Sequence, residues 1–308
     1  TIAYDSKVNF DEIFTQVRMW DTIVHNYLYQ KKIAIPPKSF SSKNAAYEGA
    51  YVKSPQIGMF NWVASFDLNS LYPHLMMQYN ISPDTIVEPN KYTKDMRDVL
   101  NAGINIDKLI AKEVDLTKVK EVAFTPNGQF FKKTKQGFLP EILEKMYNDR
   151  TVYKKKMLDA KQKYEALGNQ YFRFFDVRQA EGITMAGQLS IRWIEKKLNQ
   201  YLNKILQTQG VDYVLASDTD SVYLNLELFI TKVFGEKEFA KQKAIEVMDK
   251  FCEDKLQPFI DQSYGELATY LNAYSQKMVM KREVLADKAI WTAKKRYILN
   301  VYNSEGVQ

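Results

Sequence analysis

The chain is 308 residues long, 45% apolar and 26% charged. That is the make-up of an ordinary globular protein, which excludes an extended disordered chain and allows one large domain or two modest ones. Its 43 basic side chains outnumber 37 acidic ones for a formal charge of +6, a mild pointer to a polyanionic partner, while two histidines, His25 and His74, and a lone Cys252 exclude a histidine-built zinc centre, cysteine clusters and internal disulfides.

No run approaches the roughly 18 apolar residues of a membrane span and no signal peptide opens the chain, so the expectation is an intracellular protein without a membrane partner. Apolar residues at helical spacing from Ile13 to Leu28 predict a helix within 9–35, ending at Lys31-Lys32 and Ile-Pro-Pro. Residues 36–55 are polar with Pro, Gly and Ser, a connecting segment that contains Tyr47-Glu-Gly49-Ala and a short strand signal at Tyr51-Val52. Phe60-Asn-Trp-Val-Ala-Ser-Phe66 has strand length and runs at once into Asp67-Leu68-Asn-Ser70-Leu71-Tyr72-Pro and a helix through Leu75, Met76 and Tyr79. Asp67 is thereby delivered at a strand end, where it serves either as a helix N-cap or as a ligand.

Residues 87–137 hold mixed short elements, among them a hairpin around Asn127-Gly128. Residues 138–165 read as a long polar helix that carries, from Glu144 to Glu165, seven Lys or Arg against four acids. Such a run is usually a solvated face, but beside a carboxylate site it would suit phosphates. Next comes an amphipathic helix to about Leu206, with Leu189, Trp193, Ile194, Leu198 and Leu202 at core spacing. Residues 237–273 form one or two helices broken near Pro258, with Cys252 a small core residue of a reducing compartment. A strand pair, 278–285 and 289–302, closes the chain.

Between these helices, 211–226 holds two apolar runs that meet at Ser217-Asp218-Thr219-Asp220-Ser221, the polar cluster of a hairpin turn. In extended chain, side chains at i and i+2 share a side, so Asp218 and Asp220 stand together and call for a proton, an Arg or Lys, or a divalent cation between them. Alone, an Asp-x-Asp turn is more often plain structure, because aspartates bond their own backbone. An EF-hand loop is excluded, since Tyr223 stands where the turn needs glycine and no glutamate closes the loop. Joined by Asp67, three carboxylates on an antiparallel sheet flanked by helices suit magnesium or manganese. Two such ions roughly 3.5–4 Å apart serve nucleotidyl transfer.

Asp67-Leu-Asn-Ser-Leu-Tyr-Pro and Ser217-Asp-Thr-Asp-Ser resemble two catalytic motifs of family-B DNA polymerases. Asn80-Ile-Ser-Pro, Ala166-Leu-Gly-Asn and Lys294-Lys-Arg-Tyr resemble the branch found in T-even-like bacteriophages, with order and spacing in agreement over nearly the whole chain. The resemblance implies an α+β fold, an antiparallel palm sheet flanked by helices with a mostly helical fingers insertion. It divides the chain into an N-terminal helix and linker (1–55), a first palm segment (56–137), partial fingers (138–170) and a second palm segment (171–308), without exonuclease or thumb domains. It implies a DNA-directed DNA polymerase of phage replication in the host cytoplasm, which transfers dNTPs onto the primer 3′-OH with two Mg2+ (Mn2+ may replace them). Asp67 and Asp220 would hold both metals, with the backbone carbonyl of Leu68, and Asp218 would support them. Ser70, Leu71 and Tyr72 would line the dNTP site, Tyr72 packing under the sugar where a ribose 2′-hydroxyl clashes, and Arg150 and Lys154 would grip the triphosphate. Lys294, Lys295, Arg296 and Tyr297 would hold the primer-template duplex, and Tyr47 and Gly49 would touch template. Glu283 falls where the family often has a further acid. A sliding clamp is the implied partner of the full-length protein.

Two departures stand out. The family's second fingers helix, with its Lys-x-x-x-Asn-Ser-x-Tyr-Gly motif, is absent where Glu165 meets Ala166, and a shorter glycine-rich stretch is absent between Asp287 and Lys288. An alternative is therefore a primer-template DNA-binding fragment without turnover. A sugar-nucleotide transferase shares the acid pair but accounts for neither Asp67 with Tyr72 nor the Lys-Lys-Arg-Tyr run.

Overall fold

A computed structural model describes residues 6–37, 48–152, 176–235 and 239–304. The chain forms two compact units, neither continuous in sequence: Thr1–Gly49 with Tyr72–Ala186 and Tyr270–Lys277, and Ala50–Leu71 with Gly187–Thr269 and Met278–Gln308.

In the first unit, a 3-10 turn Phe10–Phe14 precedes helix α1 (Gln16–Gln30), which buries Met19, Trp20, Val24 and Leu28 at the spacing read from sequence. Its C-terminal Lys31 pairs with Glu141 at 2.8 Å on α5 (Phe138–Val152). Helix α2 (Leu71–Gln78) ends at Asn80, whose positive φ of 55° stops it. The Asn80 amide donates to the carbonyls of Lys132 and Lys135 and accepts the Gly137 N–H, so one buried side chain gathers three backbone groups of the loop that leads into α5. Two short helices, α3 (Lys94–Asn101) and α4 (Ile106–Ile110), each carry the side-chain N-cap expected of Thr93 and Asn105. The Asn127-Gly128 hairpin forms as expected from β2 (Val122–Phe124) and β3 (Phe130–Lys132), with Gly128 at φ 82°.

The second unit holds an antiparallel five-stranded sheet in the order β4-β5-β1-β6-β7. Strand β1 (Gly58–Leu68) is central because Val63, Ala64, Phe66 and Leu68 are all apolar and buried. It is flanked by β5 (Ser221–Asn225) and β6 (Met280–Ala293), with β4 (Val214–Asp218) and β7 (Arg296–Ser304) outermost. Helices cover it: the second half of α6 (Val177–Ile205), α7 (Glu227–Phe234), α8 (Lys241–Phe251) and α9 (Gln257–Tyr270). Trp193 on α6 donates to the Ser263 carbonyl at 2.9 Å and Tyr201 stacks on Phe259, which locks α6 against α9. The break near Pro258 is a π turn over Cys252–Leu256, with Cys252 buried as expected.

One expected element differs. The closing hairpin turns at Lys294-Lys295, not between 285 and 289, and β6 runs unbroken through Asp287 and Lys288. The turn carries no Gly, Asn or Pro to announce it. Asp287 instead marks a bulge against β7, its buried carboxylate held by Lys241 at 2.7 Å and Asn300 at 2.6 Å.

Candidate active site

The site grows from the C-terminal end of the central strand. Asp67 is the penultimate residue of β1, opposite Ser221 of β5 and Lys281 of β6. The β4–β5 hairpin closes beside it through a two-residue turn, Thr219-Asp220, and the Leu68 N–H donates to the Asp220 carbonyl at 2.8 Å. Strand end and hairpin tip are thus joined through backbone.

A second acid arrives through a break in register. Ser65 pairs with Val284 and Phe66 with Arg282, so Glu283 is the extra residue of a bulge on β6. The Ser65 hydroxyl accepts the Val284 N–H at 3.1 Å there, a side-chain bond at the point where the ladder slips. Strict alternation would have kept Glu283 on the face of Phe66. The bulge instead turns its charge toward Asp67. Burial, Asp220 and Glu283, in that order, push the Asp67 carboxyl up to about 7. All three influences disfavour its ionised form.

Asp218 behaves differently. It is the last residue of β4, and its carboxylate pairs with Lys295 at 3.2 Å, in the turn between β6 and β7. The i, i+2 argument assumed extended chain, whereas Thr219 sits at φ 58° and the Asp220 N–H folds back on the Asp218 carbonyl at 2.6 Å. The turn separates the two acids by environment: Asp220 acts on Asp67, Asp218 on a lysine. Behind the tip, the Ser217 hydroxyl bonds the Glu195 carboxylate of α6, whose pKa is raised chiefly by burial.

Lys294 and Lys295 border a groove with Lys53, Asp218, Trp291 and Tyr297. The Tyr297 hydroxyl meets that of Tyr223 at 2.7 Å and its ring stacks on Trp291 at 5.6 Å. Burial, then Tyr297, raises the Tyr223 phenol well above its ordinary value. Of the other residues singled out in the sequence, Tyr72 is the second residue of α2 and Ser70 precedes that helix at φ 48°. A Cβ added at Gly49 would meet nothing within 4 Å among the described residues. Arg150 lies on α5, but its side chain, with the whole of Lys154 and Tyr47, lies outside the described residues. Sequence reading missed Glu195 and Lys53: the first lies on a helix whose spacing pointed to core, the second in a stretch read as linker.

The donor types suit a hard divalent cation: carboxylate oxygens, those of Asp220 and Glu283 adding to the burial that raises Asp67, with no imidazole or thiolate among them. Among the described residues no group of three or more Asp, Glu, His or Cys stands where it could hold a metal ion together. Asp67 and Asp220 would hold such an ion, the rest of its shell coming from carbonyl, water or substrate oxygens, as is usual for magnesium. No helix among the described residues is long and apolar enough to cross a membrane.

The chain is similar to known proteins along its length. The chain is 29% identical over 387 residues to the DNA-directed DNA polymerase of Escherichia phage RB69, covering 100% of this chain and 41% of that protein. To the DNA-directed DNA polymerase of Enterobacteria phage T4 it is 30% identical over 372 residues, covering 99% and 41%, and to the DNA polymerase delta catalytic subunit of Arabidopsis thaliana 32% over 217 residues, covering 63% and 18%. The chain thus spans about two fifths of the length of the phage relatives. The RB69 alignment runs over 387 positions for 308 residues, so about 79 positions of that relative face no residue here. A family model described as DNA polymerase family B matches residues 12–180, more than half the chain, and with the strand-end aspartate on its five-stranded sheet the chain belongs to DNA polymerase family B.

Proposed function

We propose that this chain carries the catalytic carboxylates of a DNA-directed DNA polymerase, which joins dNTPs to a primer 3′-OH in phage DNA replication. The observation that carries the reading is the placement of Asp67 at the end of the central strand beside Asp220 and Glu283, where burial first and then these two acids push its carboxyl up to about 7. Acids assembled against their own repulsion are the mark of a site that meets a cation. Asp67 and Asp220, with the Leu68 carbonyl, are the residues we assign to two Mg2+ or Mn2+, which when bound supply charge stabilisation at the transferring phosphate and activation of the attacking hydroxyl. Asp218, held by Lys295, supports them. Glu283 serves as an accessory acid.

In this reading, Ser70, Leu71 and Tyr72 line the nucleotide site, Arg150 and Lys154 bind the triphosphate, and Lys294 to Tyr297, with Tyr47 and Gly49, bind primer-template DNA. Residues 138–170 are the fingers portion and 56–137 with 171–308 the palm. The setting is the host cytoplasm, with a sliding clamp as partner of the complete polypeptide. Primer extension by the complete natural polypeptide tests the reading: Asp220→Ala should lower turnover at least about a hundredfold while duplex binding persists. Undiminished extension would sink it.

A second reading, a DNA-holding segment without turnover, draws on the roughly 79 alignment positions that lack a counterpart. It predicts salt-sensitive duplex binding by the 308-residue chain. Nucleotide incorporation by that same chain rules it out.

A further inference from the structure

The turn that carries Asp220 holds a β-branched residue, Thr219, at φ 58°. Such a conformation is strained for a β-branched residue and persists only where its surroundings over-determine it. The surroundings here include a strip outside the regular sheet. Residues Tyr51–Gln56 lie along the outer edge of β4: Val52 bridges Asp218, the Lys53 N–H donates to the Ser217 carbonyl at 3.1 Å, and the Gln56 N–H to the Leu215 carbonyl at 2.8 Å. The end of that strip meets the turn, where the Tyr51 carbonyl accepts the Thr219 N–H at 3.0 Å. Pro55 offers no N–H, so the strip's backbone bonds to β4 are interrupted between Lys53 and Gln56.

Its side-chain anchor is Lys53. The ammonium donates to the Asp212 carboxylate and to the Val214 carbonyl, both at 2.7 Å. Asp212 in turn accepts from Asn199 of α6 at 2.8 Å and from the Val214 N–H at 3.1 Å. The Gln56 amide adds a bond to the Asp212 carbonyl at 3.0 Å. One lysine therefore ties the strip, the start of β4 and a helix together.

We propose that Lys53 is a positioning residue for Asp220: by fastening the Tyr51–Gln56 strip to Asp212 and Val214, it keeps the Tyr51 carbonyl on the Thr219 N–H and so sets the turn that presents Asp220 to Asp67. This deepens the polymerase reading and rests on it. The competing role is a phosphate contact, since Lys53 lines the same groove as Lys294 and Lys295. Burial argues for the tether: the Lys53 side chain is 17% exposed against 62% for Lys295, and two of its three N–H groups are already taken.

The test uses Lys53→Met, Lys53→Arg and Asp212→Asn in the complete natural polypeptide. Lys53→Met should lower kcat about tenfold or more and leave the dNTP KM and the primer-template Kd within about twofold, because a displaced acid affects the reacting geometry and not the grip on DNA. Amide exchange at Thr219 should rise by about tenfold, a readout that needs no turnover. Lys53→Arg should restore both, and Asp212→Asn should fall between them. Should Lys53→Met not fold, Asp212→Asn with the same exchange measurement decides. Unchanged Thr219 exchange overturns the proposal. So does a weakened primer-template Kd at unchanged kcat with a salt slope smaller by about one, the signature of a phosphate-binding lysine. Absence of incorporation by the unsubstituted polypeptide overturns the polymerase reading alone, and Thr219 exchange then decides the tether.

Discussion

The β4–β5 and β6–β7 hairpins solve the same geometric problem in opposite ways. Each closes through two residues with a non-glycine residue at positive φ, Thr219 at 58° in one and Lys295 at 60° in the other. The acidic turn is fixed by backbone: Thr219 to Tyr51, Asp220 to Leu68 and to Asp218. The basic turn is supported by side chains, through the Tyr297–Tyr223 hydroxyl pair and the Trp291 stack, and its lysine stays 62% exposed. Backbone bonds hold an atom to a fraction of an ångström, which bond-making chemistry needs. Long exposed cations can follow a mobile polyanion, which binding needs. The Asp218–Lys295 pair joins the two tips, and at that exposure it contributes little to stability.

Removing one side chain from each tip should separate the two roles. The largest expected effect is the loss of extension in Asp220→Ala, by at least about a hundredfold in kcat at nearly constant primer-template Kd. Equal losses in both would collapse the distinction between the hairpins.

Next comes Asp67→Asn, which should likewise abolish extension yet make the protein more stable. The folded carboxyl titrates at about 7, above the roughly 3.9 of an unfolded aspartate. Proton uptake by the fold therefore stabilises it fully below pH ~4, and that contribution is lost as pH rises through about 7. Asparagine mimics the protonated form and keeps the benefit. In thermal melts with chelator present, the variant should exceed the parent by about 1–3 kcal/mol at pH ~8 and match it near pH ~4. A variant equally or less stable at pH ~8 would mean that burial and its neighbouring acids do not hold Asp67 against ionisation.

Smaller still is Lys295→Ala, expected to weaken duplex binding several-fold and to reduce the salt slope of log Kd by about one, measured by titration at several salt concentrations. Smallest is Tyr297→Phe. It removes one hydroxyl of the pair with Tyr223, so a loss of about 1 kcal/mol in denaturant unfolding is expected.

Much of this was legible in the residues. The 211–226 hairpin, the strand ending in Asp67 and the helix after it, the Asn-Gly hairpin and the amphipathic helix to Leu206 are set by local signals: apolar period, turn residues and strand length. The Lys294-Lys295 turn was not, because two lysines carry no turn signal. Its place follows from pairing, with Ala293 opposite Arg296 and Trp291 opposite Tyr297.

Sequence by itself determined that acids would stand at a strand end and at a hairpin tip, since Asp67 and the Asp218-Thr219-Asp220 cluster each interrupt an apolar run. Only the tertiary structure decided which acid meets which. A single extra residue on β6 turned Glu283 toward Asp67, the left-handed turn at Thr219 sent Asp220 and Asp218 to different partners, and a lysine of an apparent linker found Asp212, 159 residues on. Such pairings depend on sheet register and on contacts between distant segments, and a local pattern carries no record of either.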